Sequence, residues 1–207
     1  MAIGPGNSIA AVQVRGQSLT LRYATPADAA ALLELGSDPD VTRFFSWGPY
    51  QNLDEPAAYI AGLEGERARG ERLDFLIIDG ADGRVLGVTG LSEFGRRDRR
   101  AVVGTWLGRG YWGTGVNRLS KALISALAFR TLGLERLGAY ADLDNPRSQR
   151  ALERIGFSRE GLLRRWHRHG EAVHDVIVYS WLRAEWERSE LSREPVEIEG
   201  QPPRSFS

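Results

Sequence analysis

A glycine-rich stretch at residues 106–117, WLGRGYWGTGVN, follows an apolar segment and leads into a segment with helical periodicity. Gly113 and Gly115 carry no side chain, so the backbone N–H groups around them can approach an anion closely. The following helix begins here, and the positive end of its dipole favours a negative charge at this point. The stretch therefore predicts a phosphate site between a strand and a helix, with a ligand-free glycine turn as the alternative.

The segments on either side of this stretch predict a mixed sheet. Their apolar patterns indicate strands at residues 18–24, 73–79, 84–93, 101–107, 136–141, 157–168 and 172–181, and helices at 26–36, 54–69, 115–132 and 145–155. The order of elements is β-α-α-β-β-β-α-β-α-β-β, in which one helix links two neighbouring strands. We therefore expect an α/β (α+β) fold with a central mixed, mostly antiparallel sheet and helices on both faces.

The composition is typical of an ordinary globular protein and excludes several kinds of site. Of the 207 residues, 42% are hydrophobic, and 27 basic side chains balance 27 acidic ones. A chain with no net charge has no overall field to attract nucleic acid, so we do not expect a nucleic-acid partner. The absence of Cys excludes disulfides, thiolate metal sites and Cys nucleophiles, and no metal site is expected.

One domain is predicted over residues 17–188. Residues 1–16 are expected to form an N-terminal tail, and the polar, Pro-rich residues 189–207 a disordered C-terminal tail. The sequence shows no signal peptide and no long apolar run, so a cytoplasmic protein without a membrane partner is expected. The oligomeric state stays open, a homodimer included.

A dinucleotide-binding loop is a competing interpretation of the glycine-rich stretch. Gly108, Gly110 and Gly113 match the spacing G-x-G-x-x-G, which is a weak signal alone. That motif normally follows the first strand of a parallel β-α-β unit, whereas three antiparallel strands are predicted here before the loop. The bulky side chains of Tyr111 and Trp112 also lie within it. The context therefore argues against a nicotinamide- or flavin-dependent oxidoreductase, which stays a third hypothesis.

Three motifs together resemble the GNAT superfamily of acetyl-CoA-dependent N-acetyltransferases, in its RimJ/RimL-like branch, over about residues 17–188. They are YWGTGVN at 111–117 with Lys121 and Ala122, DNPRS at 144–148 followed by ALERIGF at 151–157, and DVIVYSW at 175–181 with Glu185 and Trp186. The resemblance implies that acetyl-CoA binds as a co-substrate. Its pyrophosphate would lie on the loop amides and its pantetheine arm along the preceding strand. The implied cofactor-binding residues are Trp106, Leu107, Gly108, Trp112, Gly113, Thr114, Gly115, Val116, Asn117 and Asn145.

The resemblance also implies two catalytic residues. Asn145 would position the acyl end of the cofactor, and the Ser148 hydroxyl would lie near its sulfur. The alternative is that Asn145 only caps a helix and that Ser148 is a small packing residue. A backbone N–H near Leu107 or Gly108 is the candidate donor to the oxyanion.

The sequence does not single out one residue as the general base. Val102 stands where many relatives carry a carboxylate, so the remaining candidates are Glu93, Asp142, His167, His169, His174 and Asp175. Deprotonating an α-amino group at pH 7 costs about 1 kcal/mol, against roughly 4 to 5 kcal/mol for a Lys side chain. A missing base therefore favours a peptide or protein N-terminus, or a small-molecule amine, as the acceptor.

The acceptor cleft is expected to be lined by Trp47, Tyr50, Glu93 and His167. The aromatic residues between Phe44 and Tyr50 fit a cleft wall and a core bridging two helices equally well. Because no Cys can carry an acyl group, direct attack of the amine in a ternary complex is the leading hypothesis. A catalytically silent module that senses acyl-CoA is the alternative.

Overall fold

The computed structural model of the protein describes residues 11–206, in which nine strands form one sheet. The strands are β1 (Gln13–Arg15), β2 (Leu19–Arg22), β3 (Arg72–Asp79), β4 (Val85–Gly95), β5 (Arg100–Leu107), β6 (Arg136–Asp142), β7 (Ser158–His169), β8 (Ala172–Leu182) and β9 (Glu197–Glu199). Their order in the sheet is β7-β8-β6-β5-β4-β3-β2-β1-β9. Within these residues, β5 and β6 form the single parallel pair. The predicted mixed, mostly antiparallel sheet is confirmed.

Within residues 11–206, six α-helices cover the two faces of the sheet. They are α1 (Ala29–Gly36), α2 (Pro39–Thr42), α3 (Asp54–Arg69), α4 (Val116–Ala126), α5 (Pro146–Ile155) and α6 (Arg183–Arg188). The predicted helix at 115–132 is α4 followed by a π-helical turn over Leu127–Thr131. The short helices α2 and α6 were not predicted, because neither is long enough to show an apolar period.

The alternation of side chains along β5 shows which helices lie on which face. Val103 and Leu107 belong to the larger core, together with Leu123 of α4 and Leu152 of α5. Trp106 points the other way and packs against the smaller cluster that α1 and α3 form on the opposite face. Because strand side chains alternate with a period of two, every residue of the central strands can be assigned to one face.

A gap opens between β5 and β6. Their parallel pairing covers only Arg100–Val102 against Arg136–Gly138. Beyond Val102 the two strands diverge, so the polar backbone edge of β5 that faces β6 is left without a strand partner. A cavity of about 430 Å³ lies at this divergence. The parallel connection through α4 therefore gives the sheet an opening at its centre.

The predicted C-terminal tail is corrected by the structure. β9 pairs with β1 along the edge of the sheet, and Leu191 and Phe206 are buried. The Phe206 ring lies 4.8 Å from the Phe94 ring, measured between centroids. The segment is polar on average, but its few apolar side chains each occupy a site in the core, and that placement orders the chain.

The predicted N-terminal tail is corrected in part. Val12 and Val14 are fully buried, and β1 pairs with β2, so residues 11–16 belong to the domain. Residues 1–10 of the predicted tail lie outside the described residues. Over residues 11–206, no helix is long and apolar enough to cross a bilayer.

Candidate active site

The cavity passes through the gap in the sheet and touches five parts of the fold. Its wall includes the diverging halves of β5 and β6, the loop before α4, the first turns of α5, the aromatic segment 44–46, and residues 166–169 at the tip of the β7–β8 hairpin. One end therefore lies beside the glycine-rich loop, and the other lies on the opposite face of the sheet. A ligand in this space would be reachable from both faces.

The glycine-rich loop is open at the start of α4. Gly113 and Gly115 have φ angles of 77° and 92°, and a Cβ added at either position would have no heavy atom within 4 Å. Gly115 is the N-cap of α4, and no side-chain hydrogen bond caps the helix there. The first N–H groups of a helix have no intrahelical acceptor, so these donors remain available to an anion. The loop fits the pyrophosphate of a coenzyme.

Trp112 ties this loop to the end of β5. Its indole Nε1 donates a hydrogen bond of 2.9 Å to the Leu107 carbonyl oxygen. The Arg147 guanidinium lies over the same ring, 3.3 Å from its centroid. Trp112 therefore forms a wall of the cavity and does not fill it. The loop therefore accommodates a bulky residue without closing the cavity.

The structure brings six of the ten predicted cofactor-binding residues to the cavity wall: Trp106, Leu107, Trp112, Gly113, Asn117 and Asn145. The other four, Gly108, Thr114, Gly115 and Val116, belong to the same loop without lining the cavity. One part of the oxyanion prediction is wrong. The Gly108 N–H donates to the Leu86 carbonyl at 3.0 Å, so it is not free to bind an oxyanion, and Leu107 remains the backbone candidate.

Lys121 is a buried amine in the cavity wall. It lies one turn after Asn117 on α4, is 3% exposed, and its Nζ donates a hydrogen bond to the Thr105 hydroxyl. The Thr105 hydroxyl in turn lies 2.7 Å from that of Thr89. Burial lowers the pKa of Lys121 to about 7. Sequence reasoning treated this residue only as part of a motif, although it is the only Lys in the chain.

Asn145 and Ser148 both line the cavity at the start of α5. The Asn145 side-chain oxygen accepts a hydrogen bond of 3.1 Å from the Ser148 backbone N–H, so the capping role is present. The cap uses only the oxygen of Asn145, which leaves its amide nitrogen as a donor. Capping and binding are therefore compatible at this position.

The predicted acceptor residues form two layers. His167 lines the cavity together with Phe44 and Phe45, whereas the other predicted acceptor residues lie behind the wall. Trp47 stacks between Phe45 and Tyr50, with centroid distances of 5.4 and 5.0 Å. It also contacts Trp106 of β5, at 5.2 Å. The aromatic segment thus serves both as a cleft wall and as the core that holds that wall in place.

Glu93 also lies behind the wall. Its carboxylate accepts a hydrogen bond of 3.1 Å from the hydroxyl of Tyr140, and the Tyr140 side chain lines the cavity.

Asp175 is engaged elsewhere, because its carboxylate accepts a 2.7 Å hydrogen bond from the Arg165 backbone N–H in the β7–β8 hairpin. Val102 pairs with Ser92 and Gly138 inside the sheet.

Three of the base candidates come together at one end of the cavity. His174 Nδ1 lies 3.0 Å from Oδ2 of the buried Asp142, and the His174 ring lies 4.5 Å from the His169 ring. His169 lines the cavity, and burial together with the neighbouring His174 and His167 lowers its pKa. Among the described residues, no group of three or more His, Cys, Asp or Glu side chains has a geometry that would hold a metal ion.

The comparisons with known proteins agree with this geometry. The family described as Acetyltransferase (GNAT) domain matches residues 18–158. The chain is 29% identical to "Uncharacterized N-acetyltransferase p20" of Bacillus licheniformis over 170 residues, which are 82% of this chain and 96% of that protein.

Two solved structures share the fold. The crystal structure of a "putative acetyltransferase" from T. thermophilus is 33% identical, with a TM-score of 0.74 over 90% of this chain and 94% of that one. The microcin C7 self immunity acetyltransferase MccE, solved with acetyl-CoA and AMP, is 20% identical, with a TM-score of 0.73 over 80% of this chain and 93% of that one. The chain belongs to the GNAT family and is an N-acetyltransferase.

Proposed function

We propose that the protein transfers an acetyl group from acetyl-CoA to a primary amine by direct attack in a ternary complex. The observation that carries this proposal is the cavity through the gap between β5 and β6, which connects the glycine-rich loop to the far face of the sheet. Such a passage lets two substrates meet from opposite faces. The three sequence motifs further favour the RimJ/RimL-like branch of the family.

The residues around the gap fit the coenzyme. The N–H groups at the start of α4 would hold the pyrophosphate, and the unpaired edge of β5 beyond Val102 would hydrogen-bond the pantetheine arm as an added strand. Acetyl-CoA supplies the acetyl group as a thioester whose thiolate is a good leaving group. Asn145 and Ser148 lie on the α5 side of the same space. MccE, solved with acetyl-CoA, provides a precedent at the level of the fold.

The charges of the cavity wall bear on the class of acceptor. Arg147 and Arg168 contribute cationic groups, whereas Asp142 is the one carboxylate in the wall that the structure describes. A polyamine needs several carboxylates for its charges, and this wall does not offer them. We therefore propose an acceptor that carries no positive charge beyond its reacting amine, such as a peptide or protein N-terminus or a small-molecule amine with an apolar body.

The test is thiol release with DTNB against a panel of α-amines, N-terminal peptides, lysine peptides and polyamines. The chain has no Cys, so the reagent reports only the released coenzyme. Transfer to α-amines with little transfer to polyamines is the expected result, and mass spectrometry of the products identifies the acetylated nitrogen. Acetyl-CoA binding without transfer to any amine would instead favour an acyl-CoA sensor.

A pair of glycine variants tests the coenzyme site separately. Gly115→Val should weaken acetyl-CoA binding in calorimetry, because a side chain at the N-cap of α4 would cover the N–H donors. Gly83→Val is the matched control, since Gly83 also has a positive φ and open space around an added Cβ but lies in the turn between β3 and β4. Both variants carry a similar backbone strain. Equal loss of affinity in the two variants would contradict the assignment.

A further inference from the structure

The face of the sheet that bears α1 and α3 carries an ionisable cluster at the gap. In β6, Leu137, Ala139 and Ala141 pack into the core beneath α4 and α5, so Tyr140 and Asp142 point to the opposite face. In β8, the core residues from Ile177 to Trp181 are odd-numbered, which places His174 on the same face as Asp142. An amine that enters from this face therefore meets the cluster before it reaches the gap.

The contacts within the cluster form a chain that leads from Asp142 to the cavity wall. Asp142 is 8% exposed, and its Oδ2 accepts no well-formed hydrogen bond from any residue that the structure describes. The nearest ionisable group to that oxygen is His174 Nδ1, at 3.0 Å. The His169 ring packs on the His174 ring at 4.5 Å and contributes to the cavity wall. The sequence of contacts thus runs from a buried carboxylate, through one imidazole, to a second imidazole in the wall.

We propose that His169 accepts the proton that the acceptor amine loses, and that His174 and Asp142 are positioning residues for it. The inference rests on the proposed transfer to an amine. As the amine nitrogen bonds to the acyl carbon, the C–S bond breaks and the electron pair leaves with sulfur. The proton of the amine passes to a ring nitrogen of His169 and then to solvent. No oxidant, metal or further reactant is needed.

The charges around His169 come from three strands. His167 lies next to it on β7, with a centroid distance of 6.0 Å, and Arg168 lies between the two and faces Glu171 of the turn. Burial is the main cause that lowers the pKa of His169; His174 of β8 and His167 of β7 lower it further, whereas Asp142 of β6 raises it. On balance the pKa is lowered, so His169 is mostly neutral at pH 7 and can take up a proton.

A base on the β7–β8 hairpin compensates for the apolar residue Val102 on β5. Val102 offers no proton-accepting side chain on β5, so the group that accepts the proton must lie across the gap, and the β7–β8 hairpin provides it. An imidazole with a lowered pKa is a weak base, which suits an amine that is already partly neutral at pH 7. The cluster therefore favours the same α-amine class as the charge of the cavity wall.

The experiment compares pH profiles of kcat/KM between pH 5 and 9, with one α-amine acceptor, for the wild type and His169→Gln. The acceptor amine titrates identically in both experiments. A difference between the two profiles at acidic pH, the acidic limb, therefore reports on a group of the enzyme. We expect His169→Gln to lose the enzymatic limb and about 100-fold in kcat/KM, with unchanged acetyl-CoA affinity in calorimetry. Glu64→Gln, at an exposed position of α3 that does not line the cavity, is the control and should behave as the wild type.

Two further variants separate catalysis from a structural role. His174→Gln removes a neighbour that lowers the pKa of His169, so the acidic limb should move to higher pH. Asp142→Asn removes a neighbour that raises the pKa of His169, so the acidic limb should move to lower pH. Loss of packing would not give opposite shifts. An acidic limb that persists in His169→Gln refutes the inference and leaves the transferase function intact, whereas a wild type that acetylates no amine refutes the proposed function.

Discussion

Replacing Lys121 by Met should stabilise the protein. Lowering the pKa of a lysine from 10.5 to about 7 by burial corresponds to about 5 kcal/mol, at about 1.4 kcal/mol per pH unit. At pH 7 this cost lowers the free energy of unfolding of the wild-type protein. Met has a similar length and no charge, and the lost hydrogen bond to Thr105 is worth about 1 kcal/mol. We therefore expect a net gain of about 4 kcal/mol at pH 7.

The stability that Lys121→Met gains should decrease as the pH rises above 7. Between pH 7 and 10.5 the unfolded chain holds a proton on Lys121 that the folded protein does not, so wild-type stability rises with pH in this window. The advantage of Lys121→Met should therefore be largest at or below pH 7 and should shrink by about 2 to 3 kcal/mol by pH 9. Urea unfolding at pH 6, 7, 8 and 9 measures it.

The control is Arg118→Met, one turn earlier on the same helix. Arg118 is exposed and pairs with Glu190 and Glu194, so its replacement should show no pH-dependent gain in this range. Because Lys121 is the only lysine in the chain, selective 13C labelling of lysine gives a single ε-carbon signal whose titration reports its pKa directly. An ordinary lysine pKa near 10.4, or a Lys121→Met variant less stable than the wild type at pH 7, would refute the reasoning.

Three further changes test other parts of the structure. Phe206→Ala should cost about 3 kcal/mol in urea unfolding, because it removes a buried ring that packs on Phe94, whereas a disordered tail would give no change. Asp74→Asn should raise stability above pH 6 by about 3 kcal/mol and have little effect below pH 4, since burial raises the pKa of Asp74 to about 6; urea midpoints at pH 4 and 7 measure the difference. Trp112→Phe keeps the ring but removes the hydrogen bond to Leu107, so calorimetry should show about five-fold weaker acetyl-CoA binding, the equivalent of about 1 kcal/mol; unchanged affinity would contradict the role given to the indole.

The central elements could be predicted because their signals are local. Helix α5 carries Leu152 and Ile155 on one face and ends at Gly156, whose φ of 116° suits only glycine. The strands from β3 to β5 are largely apolar segments joined by short turns, so their antiparallel pairing follows. The ordered C-terminal segment could not be predicted, since single residues such as Phe206 bury themselves only against a surface that already exists.

The candidate site was predictable to a different degree on the two sides of the gap. The glycine-rich loop is one continuous stretch, so the sequence shows it whole. The cluster of Asp142, His169 and His174 depends on the register of three strands, and a shift of one residue would turn each side chain to the other face. The burial of Lys121 likewise depends on how α4 sits over Thr105. Pairing and packing over long sequence distances carry this information, and local patterns do not.

The buried lysine and the histidine cluster lie on opposite faces of the same opening, and this arrangement gives the Lys121→Met measurement a second meaning. A lysine that only filled space would be replaced by Met with a gain in stability and no loss of activity. A group that costs several kcal/mol and lies in the cavity wall is expected to contribute to function. Lys121→Met should therefore be more stable and less active, with lower kcat/KM and no change in the acidic limb assigned to His169. A variant that is more stable and fully active would show that the wall needs only the shape of this side chain.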